Sequence, residues 1–168
     1  EIRRALDEGA VIPTTLFKRG GAEEIRRVLE MVSAANLSDA LHRGGVLEGL
    51  RPLAPGMRLV GPALTVRTYP GDWAKPVEAI DRAQPGAVLV IDAGGVGPAI
   101  WGELATHSAI QRGLNGVVID GAIRDSGDIV KLGFAAFSRL VMPNAGEPKG
   151  FGEIGVPIRI GNRKVETG

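Results

Sequence analysis

Apolar residues recur along this chain at two different periods, and the alternation between them sets the expected fold. Ile25, Val28, Leu29 and Val32 follow the i, i+3, i+4, i+7 spacing that lays one apolar stripe on a helix, so a helix is predicted over Ala22 to Ser33. Ser38 to Arg43 reads as a short helix capped by Ser38 and followed by Gly44-Gly45. Met57 to Thr68 is apolar and rich in β-branched residues, hence one or two strands closed by Pro70-Gly71. Pro76 then opens a helix carrying Val77, Ile80 and Ala83, which Pro85-Gly86 stops. The continuous apolar run at 87–92 predicts a strand. A helix at about 98–112, a strand at 117–119, a short helix at 127–132 and strands at 134–138 and 156–160 complete the pattern. Strands alternating with helices imply crossover connections and a central sheet covered on both faces.

Composition narrows the class of protein. A chain of 168 residues, 44% hydrophobic, fits one domain over 1–168 with a substantial core. With 20 basic and 19 acidic residues there is no general electrostatic case for nucleic acid or a membrane surface, so partners must be recognised at a local site. Arg3-Arg4 and Arg26-Arg27 are interleaved with acids and read as solvated helix faces. Cysteine is absent, which removes disulfides, thiolate metal sites and a cysteine nucleophile and suits a cytoplasmic protein. No apolar run approaches the roughly 18 residues of a membrane span. The 25 glycines and 11 prolines are spread through loops and form no repeat.

Candidate chemistry concentrates in two segments. In Gly116-Val-Val-Ile-Asp-Gly-Ala-Ile-Arg-Asp125 a strand ends at an Asp120-Gly121 turn and delivers Arg124-Asp125 to a loop at its C-terminal end, where open α/β sheets place their chemistry. Asp125, Ser126 and Asp128 then feed the start of a short helix, whose dipole keeps carboxylates ionised. An ionised carboxylate beside a guanidinium can hold a divalent cation and a substrate anion together. The second segment, Gly94-Gly95-Val96-Gly97-Pro98-Ala99-Ile100-Trp101-Gly102-Glu103-Leu104-Ala105, follows the strand at 87–92. Its glycines let backbone N–H groups approach an anion at a helix start. No GxGxxG or GxxxxGK[ST] pattern is present, so a nucleotide site is not supported. His42 and His107 are isolated, and Lys75 and Lys131 occupy polar helix positions, so neither a histidine metal cluster nor a Schiff-base lysine is indicated. Trp73 and Trp101 are expected in packing, with Trp101 also placed to wall a pocket. Asp39 and Asp72 read as capping or turn residues.

Glu103, then twenty intervening residues, then Arg124-Asp125, two more residues and Asp128 form a spaced acidic and Arg-Asp pattern. With it go Asn36-Leu-Ser-Asp-Ala-Leu41, Gly61-Pro-Ala-Leu-Thr-Val66, Pro85-Gly-Ala-Val-Leu-Val-Ile-Asp92 and Gly113-Leu-Asn-Gly-Val-Val-Ile-Asp-Gly121. In these segments the chain resembles the RraA-like proteins and 4-hydroxy-4-methyl-2-oxoglutarate aldolases over nearly its whole length. The resemblance implies an α/β fold, a three-layer α/β/α sandwich of the swivelling β/α/β, phosphohistidine-domain-like RraA type, commonly assembled as a homotrimer or a dimer of trimers. Glu103 stands where aldolase members commonly carry Asp, a departure that bears on rate and substrate choice. Members usually continue past the segment matching Val156-Pro-Ile-Arg-Ile-Gly161 into further strand and helix, so trimmed termini are expected here.

The activity so implied is a divalent-metal-dependent lyase acting on small 2-oxo acids. It would cleave 4-hydroxy-4-methyl-2-oxoglutarate to pyruvate, or decarboxylate oxaloacetate, through pyruvate enolate. Carried onto this sequence, the family's site makes Arg124 and Asp125 catalytic. Gly102, Glu103, Leu104, Ala105 and Arg124 bind substrate; Asp125 is the direct ligand of Mg²⁺ or Mn²⁺, and Glu103 and Asp128 reach the metal through water. The resemblance carries a second implication of a different class, since RraA members are inhibitors that bind an RNA-degrading endonuclease. No direct contact with nucleic acid or membrane is expected under either.

Overall fold

The computed structural model describes residues 21–168, so Arg3-Arg4 lie outside the described residues. The chain divides into two compact units, one ending at Val46 and one beginning at Leu47. In the first, helix α1 (Ala22–Met31) carries Glu23 and Glu24 in its first turn, where the dipole favours them. It buries Val28, as does the chain at Val32 just past its end, and leaves Arg26 outside, paired with Glu30 at 2.9 Å. Helix α2 (Ala34–Ala40) starts earlier than the sequence pattern predicts, because Ser33 is its cap: Ser33 Oγ accepts from the Asn36 N–H at 3.1 Å. Ser38, the expected cap, instead donates to the Gly44 carbonyl at 3.0 Å and ties off the helix end.

The second unit is built on a six-stranded sheet in the order β1 (Arg51–Pro52), β5 (Ala135–Val141), β4 (Gly116–Ile123), β3 (Val88–Asp92), β2 (Ala63–Thr68), β6 (Gly152–Ile154). Strands β2 (Ala63–Thr68), β3 (Val88–Asp92), β4 (Gly116–Ile123) and β5 (Ala135–Val141) are parallel neighbours in chain order. They are joined by helices α3 (Ala74–Arg82), α4 (Glu103–Gln111) and α5 (Ser126–Lys131). Crossovers of one hand between strands added always in the same direction must put every helix on the same face. Ala79 and Ile80 of α3, Ala109 of α4 and Ile129 of α5 accordingly share one core with Leu89, Ile91, Val117 and Ile119. The alternate residues Val88, Val90 and Val118 face the other way. They meet Ile158 and Ile160 of β7 (Ile158–Ile160) and Val165 of β8 (Arg163–Val165), an antiparallel hairpin that covers this face. Short antiparallel strands β1 (Arg51–Pro52) and β6 (Gly152–Ile154) close the edges on β5 and β2.

Three departures from the sequence pattern matter for function. The helix expected from about 98 begins only at Glu103, because Ala99 and Trp101 are extended and bridge in parallel to Ala145 and Ile123. Asp120-Gly121 is not a turn: β4 runs through it to Ile123, and a register shift between Ile119 and Ala122 absorbs the irregularity. Gly121 serves close packing, since a Cβ there would lie 2.9 Å from Ala93 Cβ. Pro76 is the third residue of α3, not its first, and is tolerated because first-turn N–H groups have no intrahelical acceptor.

Candidate functional site

The chain leaving β3 returns along the end of β4. Ile100 donates its N–H to the Ala122 carbonyl at 3.0 Å and Arg124 donates to the Trp101 carbonyl at 2.9 Å, so residues 99–101 extend the sheet beyond the end of β3. On their other side Ala99 donates to the Asn144 carbonyl at 2.9 Å and accepts from Gly146 at 3.0 Å. This ribbon sets the N-terminus of α4 beside the loop that follows β4. Between them lies a cleft of about 380 Å³ whose lining includes Gly102, Leu104, Ala105, Arg124, Trp73 and Val77. The amides of Leu104 and Ala105, in the first turn of α4, have no intrahelical acceptor. Trp101 is buried behind the cleft with its indole N–H donated to Thr106 Oγ1 at 2.9 Å, and Thr106 in turn donates to the Gly102 carbonyl.

Arg124 and Asp125 follow β4 directly. Asp125 adopts the left-handed conformation, φ 54° and ψ 34°, which Asp tolerates better than most residues. Its carboxylate makes no cap to its own helix α5, contrary to the sequence expectation. It reaches across to α4 instead, where Oδ2 accepts from the Glu103 N–H at 3.1 Å and lies 3.4 Å from Arg124 Nε. Gly102 makes the approach possible, because a Cβ there would lie 2.6 Å from Asp125 Oδ2 and 3.0 Å from Arg124 Cγ. Both side chains are about a third to two-fifths exposed, so the pair adds little to stability; its consequence is orientation.

The predicted acids Glu103, Asp125 and Asp128 are not among the residues that line the cleft. Glu103 lies 3.6 Å from His107 Nε2 across one turn of α4, and Asp128 accepts from Lys131 Nζ at 2.8 Å in α5. That bond to Asp128, with the Glu103 carboxylate adding to it, holds the Lys131 ammonium above its ordinary pKa. Among the described residues no three His, Cys, Asp or Glu side chains gather closely enough to enclose a cation. The donor set does fit a hydrated one: no described residue donates to Asp125 Oδ1, and Glu103 and Asp128 are half-exposed hard oxygen donors. Mg²⁺ keeps several waters and is commonly held by one or two carboxylates.

Several residues of this region escape sequence reasoning. Trp73, the residue that caps α3, and Val77 within it wall the cleft, and Trp73 Nε1 donates to the Gly146 carbonyl at 3.1 Å. Their position just after β2, at the same sheet edge as Arg124, is the signal that was available. Asp72 beside them is buried, and its carboxylate accepts from the N–H groups of Ala74 (3.1 Å), Lys149 (3.0 Å), Gly150 (3.2 Å) and Phe151 (2.8 Å). Burial pushes its pKa upward, but these four bonds outweigh that and hold it below the ordinary value. Asp120, on the hairpin face of β4, is buried against Arg139 Nε and accepts from Gly161 N–H at 3.4 Å. Its backbone carbonyl receives both Ala93 and Gly95, fixing the glycine-rich loop to the sheet.

Comparison with known proteins gives the family to which this chain is related. The family model described as RraA-like, Aldolase/RraA, matches residues 34–168. The uncharacterized protein MJ0644 of Methanocaldococcus jannaschii is 37% identical over 144 residues, covering 84% of this chain and 68% of that protein. A protein of Halalkalibacterium halodurans, named provisionally as a 4-hydroxy-4-methyl-2-oxoglutarate aldolase, is 37% identical over 134 residues, 79% of this chain and 64% of its own. The chain therefore spans about two thirds of the length of these relatives. Among solved structures, RraAS2 of Streptomyces coelicolor, described as an unusual member of the RNase ES inhibitor RraA family, superposes with a TM-score of 0.77. It is 27% identical, covering 89% of this chain and 80% of that one.

Proposed function

Because the chain belongs to the RraA-like aldolase family, we propose that it is a divalent-metal-dependent lyase cleaving small 2-oxo acids next to a pyruvate unit. The observation that carries this reading is the single cleft shared by the Arg124 side chain and the free first-turn amides of α4. In a 4-hydroxy-2-oxo acid such as 4-hydroxy-4-methyl-2-oxoglutarate, the C3–C4 bond breaks and its electron pair moves onto the 2-oxo oxygen. The 4-hydroxyl loses its proton as the second carbonyl leaves. Loss of CO₂ from oxaloacetate generates the same enolate, so both reactions fit one site.

Arg124 donates to the 2-oxo oxygen as charge develops there, and the amides of Leu104 and Ala105 receive the substrate carboxylate with help from the helix dipole. Gly102 keeps the floor open, and Asp125 fixes the Arg124 guanidinium while capping α4. Among the described residues no histidine lines the cleft, so the 4-hydroxyl proton passes to water at the open mouth. A Mg²⁺ or Mn²⁺ ion held by Asp125, with Glu103 and Asp128 reaching it through ordered waters, would supply Lewis-acid polarisation of the same carbonyl. The test is pyruvate release from 4-hydroxy-4-methyl-2-oxoglutarate and from oxaloacetate, each with Mg²⁺ and with EDTA. Metal-dependent release from either supports the reading.

The likeness to an RNase ES inhibitor family member favours one alternative, a regulatory protein that binds an RNA-degrading endonuclease and uses this fold as a platform. Inactivity on both substrates together with tight endonuclease binding would select it.

A further inference from the structure

Resting on that reading, we infer that Thr106 is a positioning residue for the Arg124 and Asp125 pair, acting on it through the Gly102–Glu103 peptide group. Thr106 is wholly buried (0% exposed) in α4. Its Oγ1 lies 2.9 Å from the Trp101 indole nitrogen and 2.9 Å from the Gly102 carbonyl oxygen. An indole nitrogen can only donate, so the hydroxyl oxygen accepts the first bond and its one proton is left for the second. The direction of the chain is thereby fixed, from Trp101 to Thr106 to Gly102.

A helical threonine commonly bonds back to the carbonyl four residues earlier, which by itself only satisfies the hydroxyl. Here that carbonyl belongs to the residue that caps α4, and Gly102 has no side chain with which to fix its own peptide plane. The carbonyl takes two donors, the Thr106 hydroxyl and the Thr106 N–H at 3.1 Å. The N–H of the same peptide unit, on Glu103, donates to Asp125 Oδ2, the oxygen that lies 3.4 Å from Arg124 Nε. Because a peptide group is planar, holding its carbonyl aims its N–H at the carboxylate. Hydrogen bonds in series also polarise one another, so the two donors on the carbonyl strengthen the Glu103 N–H as a donor to Asp125. Arg124 closes the circuit, since its own backbone N–H donates to the Trp101 carbonyl at 2.9 Å.

Thr106→Val keeps the shape of the side chain and removes both bonds of the hydroxyl, whereas Thr106→Ser keeps them. With oxaloacetate and saturating Mg²⁺, Thr106→Val should lower kcat by about 10-fold or more while KM stays within about 3-fold, the pattern of an interaction made in the transition state. Thr106→Ser should restore most of the rate. In an Arg124→Lys background the valine should add little, because the pair it positions is already lost; a merely structural role would multiply the two losses. Amide exchange reads the same circuit without substrate or metal: the Glu103 N–H should lose protection in Thr106→Val and keep it in Thr106→Ser. Thr106→Ala carries these comparisons if the valine variant does not fold, and loss of the fold in both makes the hydroxyl a structural group and overturns the inference. A wild-type kcat or unchanged Glu103 exchange in Thr106→Val, or losses that multiply with Arg124→Lys, overturns it while leaving the lyase reading in place. No pyruvate from the wild type on oxaloacetate or on 4-hydroxy-4-methyl-2-oxoglutarate removes the lyase reading, and the inference with it.

Discussion

A methyl group on Gly102 would meet Asp125 Oδ2 at 2.6 Å and Arg124 Cγ at 3.0 Å, although the backbone there is extended (φ −159°) and accepts any residue. Gly102→Ala should therefore displace the Arg-Asp pair without straining the chain. We expect pyruvate release to fall by about 10-fold or more while the melting temperature moves by only a few degrees. Arg124→Lys keeps the charge but loses the planar donor fork, and turnover should drop by about 100-fold in a folded protein. Wild-type rates from that variant would remove Arg124 from the chemistry. Asp125→Asn separates two roles of one residue. Asn accepts the left-handed conformation and its amide oxygen can still receive the Glu103 N–H, so the fold should survive. It cannot replace the charge, so Mg²⁺ activation should be lost, and Glu103→Gln and Asp128→Asn should cost less. Mg²⁺ activation curves of the three variants check this, and equal losses at all three would contradict a single primary ligand.

At the level of elements, Asp72 joins the start of α3 to the segment entering β6 through four backbone N–H groups. Asp72→Asn leaves part of that set unsatisfied and should cost about 3 kcal/mol in urea unfolding. Its folded pKa lies below the ordinary 3.8, so the stability it contributes is complete above that value and is lost as pH falls through the folded one. Stability of the wild type should therefore decline below about pH 4 more steeply than that of Asp72→Asn; identical acid limbs would deny the assignment. The helices at Ala22, Pro76 and Ser126 and the strands at 87–92, 134–138 and 156–160 were legible because each has its own apolar period or its own caps. The stretch 98–101 was not, because its conformation is decided by pairing with Ile123 and Ala145, residues distant in sequence. Asp120-Gly121 has the composition of a turn, yet tertiary contacts make it strand: a guanidinium partner for the buried acid and no room for a side chain at the glycine. The Arg124, Asp125 and Leu104 constellation was reachable only through the family resemblance that the motif spacing suggests. Trp73 and Val77 were not, since only the sheet brings them there.

On the scale of the molecule, the Asp120 and Arg139 ion pair locks β4 and β5 to the β7-β8 turn at Gly161 and, through Arg139 Nη2, to the Glu48 carbonyl. Arg139→Met strands a buried carboxylate and should destabilise the protein by about 3 kcal/mol, while pairing it with Asp120→Asn should recover part of the loss. Additive losses in that double-mutant cycle would show the two do not act together. The sheet order has a further consequence in time. Strands β2 to β5 each pair with the next strand in the chain across a single helix, so they can dock in succession as local events. The covers of the two outer strands come from far away: β5 is closed by β1, and β2 by β6. We predict that while the edge covers β1 and β6 are undocked, both edges of an apolar parallel ribbon stand open to any like strand nearby. Crowded refolding should lose material to aggregation at that stage, and dilution should rescue it.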